Sequence, residues 1–331
     1  MKKNNLLNYK TILITGGTGS FGGAYLDTVL KKYKPKKIII YSRDEMKQWF
    51  LKEKFKKYEN IKFVIGDIRD IDRLNYSMKD CDYAVHAAAT KIVPTAEKNP
   101  EECIKTNIIG GMNIIKASLT NKLKKVIALS TDKASSPINL YGATKLCSDK
   151  LFTSQYYEKN YTKFSVVRYG NVLGSRGSII PHFLSVKKKG IFPLTHEDMT
   201  RFFLSLDHAV EFVNFCFGKM QGGEIFVKKL PSVKIKELIK LIHSKPKIKI
   251  IGLREGEKIH EQMIGIDDSI YTVEFKNHFE ILPDLKLKLK KIKILKGKSV
   301  HKDFFYSSNN AEKINQEYLK NEILKIEKEL R

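Results

Sequence analysis

Five residues near the middle of the chain have the types and spacing to do chemistry: Thr131, Asp132 and Lys133 in direct succession, then Tyr141 and Lys145. A carboxylic acid next to an amine supplies a proton donor and a proton acceptor within one short reach. If Tyr141 opens a helix, the i, i+4 spacing puts Tyr141 and Lys145 on one face. An ammonium beside a phenol favours the phenolate and lowers the tyrosine pKa toward neutrality. That would make a base able to take a proton from a sugar hydroxyl. A surface Tyr and Lys on an ordinary amphipathic helix share this spacing, so the weight falls on what precedes the pair.

The apolar run Val126-Ile127-Ala128-Leu129 reads as a buried parallel strand, and the acid and amine emerge at its C-terminal end. Open α/β sheets bind their ligands at such ends. Near the N-terminus, Lys10 to Ile14 is another β-rich run, followed by Thr15-Gly16-Gly17-Thr18-Gly19-Ser20-Phe21-Gly22 and then helical apolar spacing from Gly23 to Leu30. In that context Gly16 permits a tight turn, Gly19 lets backbone approach a pyrophosphate, and Gly22 lets helix pack on strand, with the helix N-terminus facing the phosphates. The spacing T-G-x-x-G-x-x-G resembles that of the extended short-chain dehydrogenase/reductase superfamily.

A second strand, Lys37 to Tyr41, runs into Ser42, Arg43 and Asp44, about 20 residues past the glycine loop, where a ribose 2′ position is read. A hydroxyl and a guanidinium suit a 2′-phosphate, so NADP is expected over NAD, although Asp44 is of the type that favours NAD. Phe63 to Ile65 is a third strand, leading to Asp67 and Ile68. Tyr83 to Ala89 is a fourth strand and its turn, whose small residues Ala87 and Ala88 leave room for a nicotinamide ribose; Lys91 follows within reach of cofactor or substrate. His86, inside an apolar strand, reads as a satisfied core histidine. The next helix carries Thr106-Asn107, and the superfamily resemblance implies that this pair buttresses the active-site strand. Alternating strands and helices argue an α/β fold, a Rossmann-type doubly wound parallel sheet. After Lys163 to Tyr169 the chain turns polar and glycine-rich. Residues 1–170 are therefore expected to form the NADP-binding core, with some later segments returning to it. Residues 171–331 are expected to be mostly a smaller mixed C-terminal substrate-binding domain. Arg201 and Arg254, planar multidentate donors, are candidates for a diphosphate.

Composition narrows the class. With 331 residues and 42% apolar content the chain can bury a sizeable core. Cys81, Cys103, Cys147 and Cys216 stand far apart without metal spacing, so no metal is expected and they read as buried free thiols of a reducing compartment. No run approaches ~20 apolar residues and no signal-peptide core follows Met1, which implies a soluble cytoplasmic protein without membrane contact. The formal charge of +25 raises nucleic-acid binding. The lysines are scattered and no nucleic-acid module is present, so the excess reads as a lysine-biased composition that helps attract an anionic ligand. Residues 284–300 are lysine-dense and carry no recognisable motif.

Together the stretches ITGGTGSFG, YSRDE, GDIRD, LSTDKASSPINLYGATKLCSDKLF, VVRYGNVLGSRGS, MTRF and EGEKIHE resemble the soluble inverting UDP-N-acetylglucosamine 4,6-dehydratases of the pseudaminic acid pathway, from Thr11 to about Asn310. Lys133 stands where retaining relatives have Glu, and Tyr141 where membrane-anchored and capsule-type relatives usually have Met. Both choices favour the inverting group. Glu255, where relatives often have Pro, departs from the pattern. The resemblance implies a tightly bound, recycled NADP, a homo-oligomer (dimer-based, possibly hexameric), UDP-N-acetylglucosamine as substrate and a role in flagellin glycosylation. It implies cofactor contacts from Gly16, Thr18, Gly19, Ser20, Phe21 and Gly22 in the loop, and from Ser42, Arg43, Asp44, Asp67 and Ile68 beyond it. Asp67 would meet the adenine amino group. Further contacts are implied from Ala87, Ala88, Lys91, Leu129, Ser130, Tyr141, Lys145 and Val172. Substrate contacts are implied from Lys91, Asn171, Arg176, Thr195, Met199, Arg201, Arg254, Glu257 and Tyr306.

The implied reaction is redox-neutral. Tyr141 takes the proton of the sugar 4-hydroxyl while the C4 hydride passes to NADP. Neutral Lys133, its pKa lowered by desolvation, takes the C5 proton; protonated Asp132 donates to the departing 6-hydroxyl; Thr131 orients the Tyr141 relay. Hydride returns to C6, and reprotonation of C5 from the opposite face inverts that centre. Three alternatives stand beside this reading. A UDP-sugar 4-epimerase on the same fold needs no acid and base for elimination, so Asp132 and Lys133 argue against it, and a capsule-type dehydratase/epimerase would usually carry Met in place of Tyr141. A silent NADP-binding protein would be expected to lack the Tyr or the Lys. A nucleic-acid binder would show salt-dependent binding.

Overall fold

The computed structural model describes residues 5–157, 160–175 and 177–330. Six strands in chain order, β1 (Thr11–Thr15), β2 (Lys37–Ser42), β3 (Ile61–Ile65), β4 (Tyr83–His86), β5 (Lys125–Thr131) and β6 (Lys163–Tyr169), pair in parallel in the spatial order 3-2-1-4-5-6. Every residue of β1 and β4 is buried. Such two-sided burial is what helices packed on both faces of a parallel sheet produce. The strand order reverses between β1 and β4, and the crevice at such a reversal is where ligands enter doubly wound sheets. Both the glycine loop and the turn after β4 open there.

Later segments extend this sheet to ten strands. Ile225–Lys228 adds in parallel to β6, and His278–Ile281, Thr272–Glu274 and Lys298–Ser299 follow antiparallel. The remainder of the second half builds a smaller core around Phe183, Phe192, Phe203, Leu238, Ile239 and Ile323. Its elements include the helices Ile179–Val186, Ile235–Ile242 and Gln316–Glu329 and short strands such as Thr200–Leu204 and Ser232–Lys234.

The lysine-dense stretch is a helix, Leu285–Leu295, capped by the Asp284 carboxylate on the Leu287 N–H. Two of its lysines point inward. The Lys291 ammonium lies 3.1 Å from Glu224 and 2.9 Å from Glu280, and the Lys288 ammonium donates to the Ile270 carbonyl. Part of the basic excess is thus buried and compensated. Cys81, Cys103 and Cys216 are buried as expected, whereas Cys147 is exposed on the outer face of its helix. Among the described residues no helix is long and apolar enough to cross a membrane, and no group of His, Cys, Asp and Glu could hold a metal ion.

Candidate active site

The candidate catalytic stretch follows directly from β5. After Thr131 the chain makes one short 3-10 turn, Asp132–Ala134, and Asn139 then caps the helix Leu140–Phe152 by accepting the Gly142 N–H at 2.7 Å. Gly142 is tied to this arrangement: a Cβ there would meet the Lys133 carbonyl at 2.3 Å. Helix and turn are therefore pressed together, with Thr131, Asp132, Lys133 and Tyr141 at one end of the sheet.

Asp132 is 1% exposed. Its Oδ1 accepts from Thr131 Oγ1 at 3.0 Å and from Lys133 Nζ at 3.1 Å, while Oδ2 is buried without a partner. Burial pushes this carboxyl upward, the nearby lysine only partly opposing it. Such an environment favours the protonated acid. Tyr141 is also buried. Burial pushes its phenol up to about 12, against the lowering influence of Lys133 and of a hydrogen bond with Thr131.

Two expectations about these groups are corrected. Lys145 does not serve as the cation that lowers Tyr141: its ammonium donates to the Leu129 carbonyl at 2.7 Å, and the lowering cation is Lys133. Because desolvation outweighs that cation, the phenol is held neutral rather than brought toward ionisation. Lys133 is not poised as a neutral amine either. Burial works to lower its pKa, but the Asp132 and Glu261 carboxylates, the latter 3.0 Å away, raise it overall.

Glu261 is the residue that motif reasoning left without a role, although it closes the EGEKIHE stretch. It is 2% exposed. Its backbone N–H donates to Ser308 Oγ, and its carbonyl accepts the Ser308 N–H at 2.7 Å. Oε2 is buried without a hydrogen-bond partner. Nothing local marks this glutamate as buried, because its partners come from the turn after β5, the strand Thr200–Leu204 and Ser308.

Several candidate substrate contacts are placed elsewhere. Tyr306 lies in the core against Phe202 and Phe279, and its hydroxyl both donates to the Leu230 carbonyl and accepts the Leu230 N–H at 2.8 Å. Arg201 is committed to backbone: its guanidinium donates to the carbonyls of Thr200, Lys258 and Ile259. It is a brace for the 254–261 loop rather than an open diphosphate clamp. Met199 belongs to the smaller core, and Thr195 is buried with its hydroxyl on the Met199 sulfur. Arg254 is exposed, its N–H held by Glu257, whose other carboxylate oxygen lies 3.7 Å from Arg201. Asn171 is half-buried, with an unpartnered buried Oδ1. Val172 packs against the main core. Arg176 lies outside the described residues.

The glycine loop has the shape a dinucleotide needs. Gly16 has φ +62°, and a Cβ on it would meet the backbone of Ala87 and Ala88 at 2.8–2.9 Å. Gly22 packs onto Gly17, where a Cβ would come within 2.5 Å. The helix α1 (Ser20–Lys32) begins at Gly19 with no side-chain cap, so its first N–H groups face the loop. Phe21 stacks on Tyr25 and Tyr169, which sets the loop against β6. Thr18 and Ser20 lie within this turn.

At the ribose end, Asp44 caps the helix α2 (Glu45–Lys54) through the Lys47 N–H, and the Ser42 hydroxyl accepts from buried Gln48. Arg43 stays largely exposed, 3.7 Å from Asp67. Asp67 is itself gripped by Arg69 at 2.7 and 2.9 Å, and Ile68 is buried. Lys91 is exposed just beyond Ala87 and Ala88. Ser130 donates to Asp149, which pairs with buried Arg168 at 2.9 Å. Asn107 ties the turn after β4 to the helix Leu140–Phe152, bonding both backbone groups of Thr90 and donating to Thr144 Oγ1 at 3.0 Å. It sits on a π-helical stretch, Lys105–Ile109, a bulge that turns the amide inward.

His86 is satisfied, Nδ1 lying 2.8 Å from Thr15 Oγ1. Burial, helped by Lys145, lowers its pKa to about 3. The unfolded chain takes up this proton near pH 6.5, so the stability contributed by neutral His86 is present above that value and lost as pH falls toward 3. The expected slope is about 1.4 kcal/mol per pH unit. Urea midpoints at pH 7 and pH 5 should show the fall, and His86→Gln should flatten it.

A cavity of about 920 Å³ lies elsewhere, between Phe212, Phe215, Lys228, Phe275 and His278, and shares no residue with this cluster. The convergence of buried acid, ammonium and phenol at the strand ends, not cavity size, marks the site.

Comparison with known proteins agrees with this fold. A family model described as "Polysaccharide biosynthesis protein" matches residues 12–283. A protein of Campylobacter jejuni subsp. jejuni serotype O:23/36 (strain 81-176) named UDP-N-acetylglucosamine 4,6-dehydratase (inverting) is 51% identical over 92% of this chain and 94% of its own. A Rickettsia bellii (strain OSU 85-389) protein named UDP-glucose 4-epimerase is 40% identical over 96% of both. Among solved structures, the X-ray structure of Pen from Bacillus thuringiensis superposes with TM-score 0.87 at 38% identity, covering 97% of this chain and 98% of that one. DesIV from Streptomyces venezuelae, a dTDP-glucose 4,6-dehydratase with NAD and TYD bound, shares the fold at TM-score 0.68 and 20% identity, over 75% of this chain and 86% of that one. The chain belongs to the polysaccharide biosynthesis protein family, with the fold of the short-chain dehydratases and epimerases.

Proposed function

We propose that the protein is an inverting UDP-N-acetylglucosamine 4,6-dehydratase, forming UDP-2-acetamido-2,6-dideoxy-β-L-arabino-hex-4-ulose as a first step towards pseudaminic acid. The observation that carries this reading is the buried Asp132 carboxyl against the Lys133 ammonium, beside the Tyr141 phenol at the end of β5. An elimination needs an acid for the leaving oxygen and a base for the carbon acid, and an epimerase needs neither. The 51% identical dehydratase supports the same choice. A homo-oligomer in the cytoplasm belongs to this reading through the resemblance alone.

The glycine cradle fits a dinucleotide, and Gly16, Gly19, Gly22, Arg43, Ala87, Ala88 and Lys145 would hold it. When bound, the nicotinamide supplies a temporary acceptor for the C4 hydride, which is returned at C6. Tyr141 takes the 4-hydroxyl proton as the phenolate, a form that the Lys133 ammonium and, when bound, the cationic nicotinamide would favour against the burial that keeps the phenol neutral without them, with Thr131 holding the phenol in line. Asp132, kept protonated by its burial, gives its proton to the departing 6-oxygen. Lys133 takes the proton from C5, which the 4-ketone has made acidic. Arg254, exposed at the start of the loop, is the guanidinium that would meet a diphosphate, Arg201 being committed to the loop.

NADP is favoured over NAD because Asp44 is spent as a helix cap and Arg43 is left facing solvent at the end of β2. Arg43→Ala is expected to weaken NADP binding about 10- to 100-fold, the worth of a charge-assisted hydrogen bond, with NAD binding nearly unchanged. Fluorescence titration of the apoprotein with each dinucleotide measures both.

The function is tested by proton NMR of the purified protein with UDP-N-acetylglucosamine in D2O. A 6-methyl signal with deuterium at C5 and L-arabino couplings supports the proposal. A 4-epimer without water loss would instead support the second reading, which the 40% identical epimerases keep in view.

A further inference from the structure

Lys133 poses a chemical difficulty for the dehydratase reading. To take a proton from C5 it must be a free amine, yet it sits between two carboxylate oxygens, Asp132 Oδ1 at 3.1 Å and Glu261 Oε1 at 3.0 Å. The two acids are not equivalent. Asp132 is raised by burial, whereas Glu261, though burial pushes it up, is held down by Lys133 and Arg201 and stays anionic. Glu261 is also fixed as a rigid part would be. Ser308 clamps its backbone from both sides, and Ser308 Oγ in turn bonds Thr200 Oγ1 at 2.7 Å. Arg201 Nε stands 3.7 Å from Oε1, three of its other N–H groups donating to the carbonyls of Thr200, Lys258 and Ile259.

On the dehydratase reading, we propose that Glu261 is the positioning residue that aims Lys133 at C5 and accepts its proton, so that Lys133 acts as a neutral amine. In this step one N–H bond on Lys133 Nζ breaks, its electron pair stays on nitrogen, and the proton forms O–H on Glu261. Lys133 Nζ then forms a new N–H bond with the C5 proton, and the C5–H electron pair passes into conjugation with the 4-ketone. No proton leaves the cluster, so the step draws on none from bulk water. Glu261 acts through Lys133 and needs no contact with the sugar. Its unpartnered Oε2 leaves capacity for the changed charge. The charged and titratable groups facing the pair are Asp132 and Tyr141 from the β5 turn and its helix, Arg201 from Thr200–Leu204, and Glu257 and Lys258 from the loop before Glu261.

The test is the pH dependence of kcat for the full-length protein, carrying its cofactor, with UDP-N-acetylglucosamine. In the unaltered protein the proton passes within the pair, and kcat should be flat between pH 6 and 8 on its acidic side. Glu261→Gln keeps the volume and a hydrogen-bond acceptor but cannot take the proton. Its kcat should fall at least about 10-fold at pH 7, the lower end of what a proton-transfer partner contributes. It should then climb about tenfold per pH unit as bulk solvent deprotonates Lys133, with KM little changed. Glu261→Asp should restore the flat profile. A Glu261→Gln enzyme slowed by one constant factor at every pH, or not slowed, overturns the inference alone. An unaltered protein that releases no water overturns the dehydratase reading and this inference with it. Melting temperatures of both variants separate loss of fold from loss of proton transfer.

Discussion

Tyr141→Phe is expected to lower kcat by about 10³-fold or more, with little change in KM for UDP-N-acetylglucosamine or in melting temperature. The substitution removes one oxygen. The ring stays packed with Ala96 and Cys103, and the helix cap at Asn139 is untouched, so the fold has no reason to fail. What disappears is the acceptor for the 4-hydroxyl proton, and general bases contribute about 10²- to 10⁴-fold. The upper part of that range applies because Asp132 and Lys133 are committed to each other and offer no substitute. Borodeuteride trapping of the reaction mixture measures the 4-keto sugar directly. With Tyr141→Phe no deuterium should appear at C4. Trapped ketone at the unaltered level would remove Tyr141 from the first step.

Lys133→Met is expected to lower water release by a similar factor while the first step survives. Here borodeuteride should trap a 4-keto sugar that still carries its 6-hydroxyl, and no deuterium should enter C5 from D2O. The two variants thus stop the sequence on either side of the ketone. Methionine matches the lysine stem in length, but it leaves the Asp132 and Glu261 carboxyls without the ammonium between them. Removing one partner of a buried ionic cluster costs about 3 kcal/mol or more. Lys133→Arg keeps the positive charge and stays protonated at every accessible pH. It should therefore fold like the unaltered protein and still fail to exchange C5. Exchange at C5 in Lys133→Arg would show that another group is the base.

Much of this molecule follows from short stretches of chain. The strand, glycine turn and helix from Thr11 to Lys32 are a local pattern, because periodicity and the backbone demands of Gly16 and Gly22 act over a few residues. The alternation of apolar strands and helices up to Tyr169 implies the parallel sheet for the same reason. Asp132, Lys133 and Tyr141 are close in sequence, so their meeting needs only a strand end, one turn and a helix start. His86 was legible as a core histidine from its apolar neighbours, and Thr15 supplies the partner.

Tertiary structure alone decided the charge state of those groups and the fate of the distant candidates. Lys133 is held protonated by Glu261, and Arg201 is turned from a possible ligand clamp into a loop brace by carbonyls of residues 258 and 259. Tyr306, a substrate contact on the resemblance, spends its hydroxyl on Leu230 in the core. The lysine-dense helix showed no motif because its meaning lies in Glu224 and Glu280, which the ten-stranded sheet brings to Lys291. Backbone conformation responds mainly to neighbours along the chain. A side chain's ionisation responds to desolvation and to charges within a few ångströms, whatever their separation in sequence. The short stretch from Thr131 to Lys145 names the groups that could react, and the packing of residues 200–308 against the end of β5 sets which of them carry a proton.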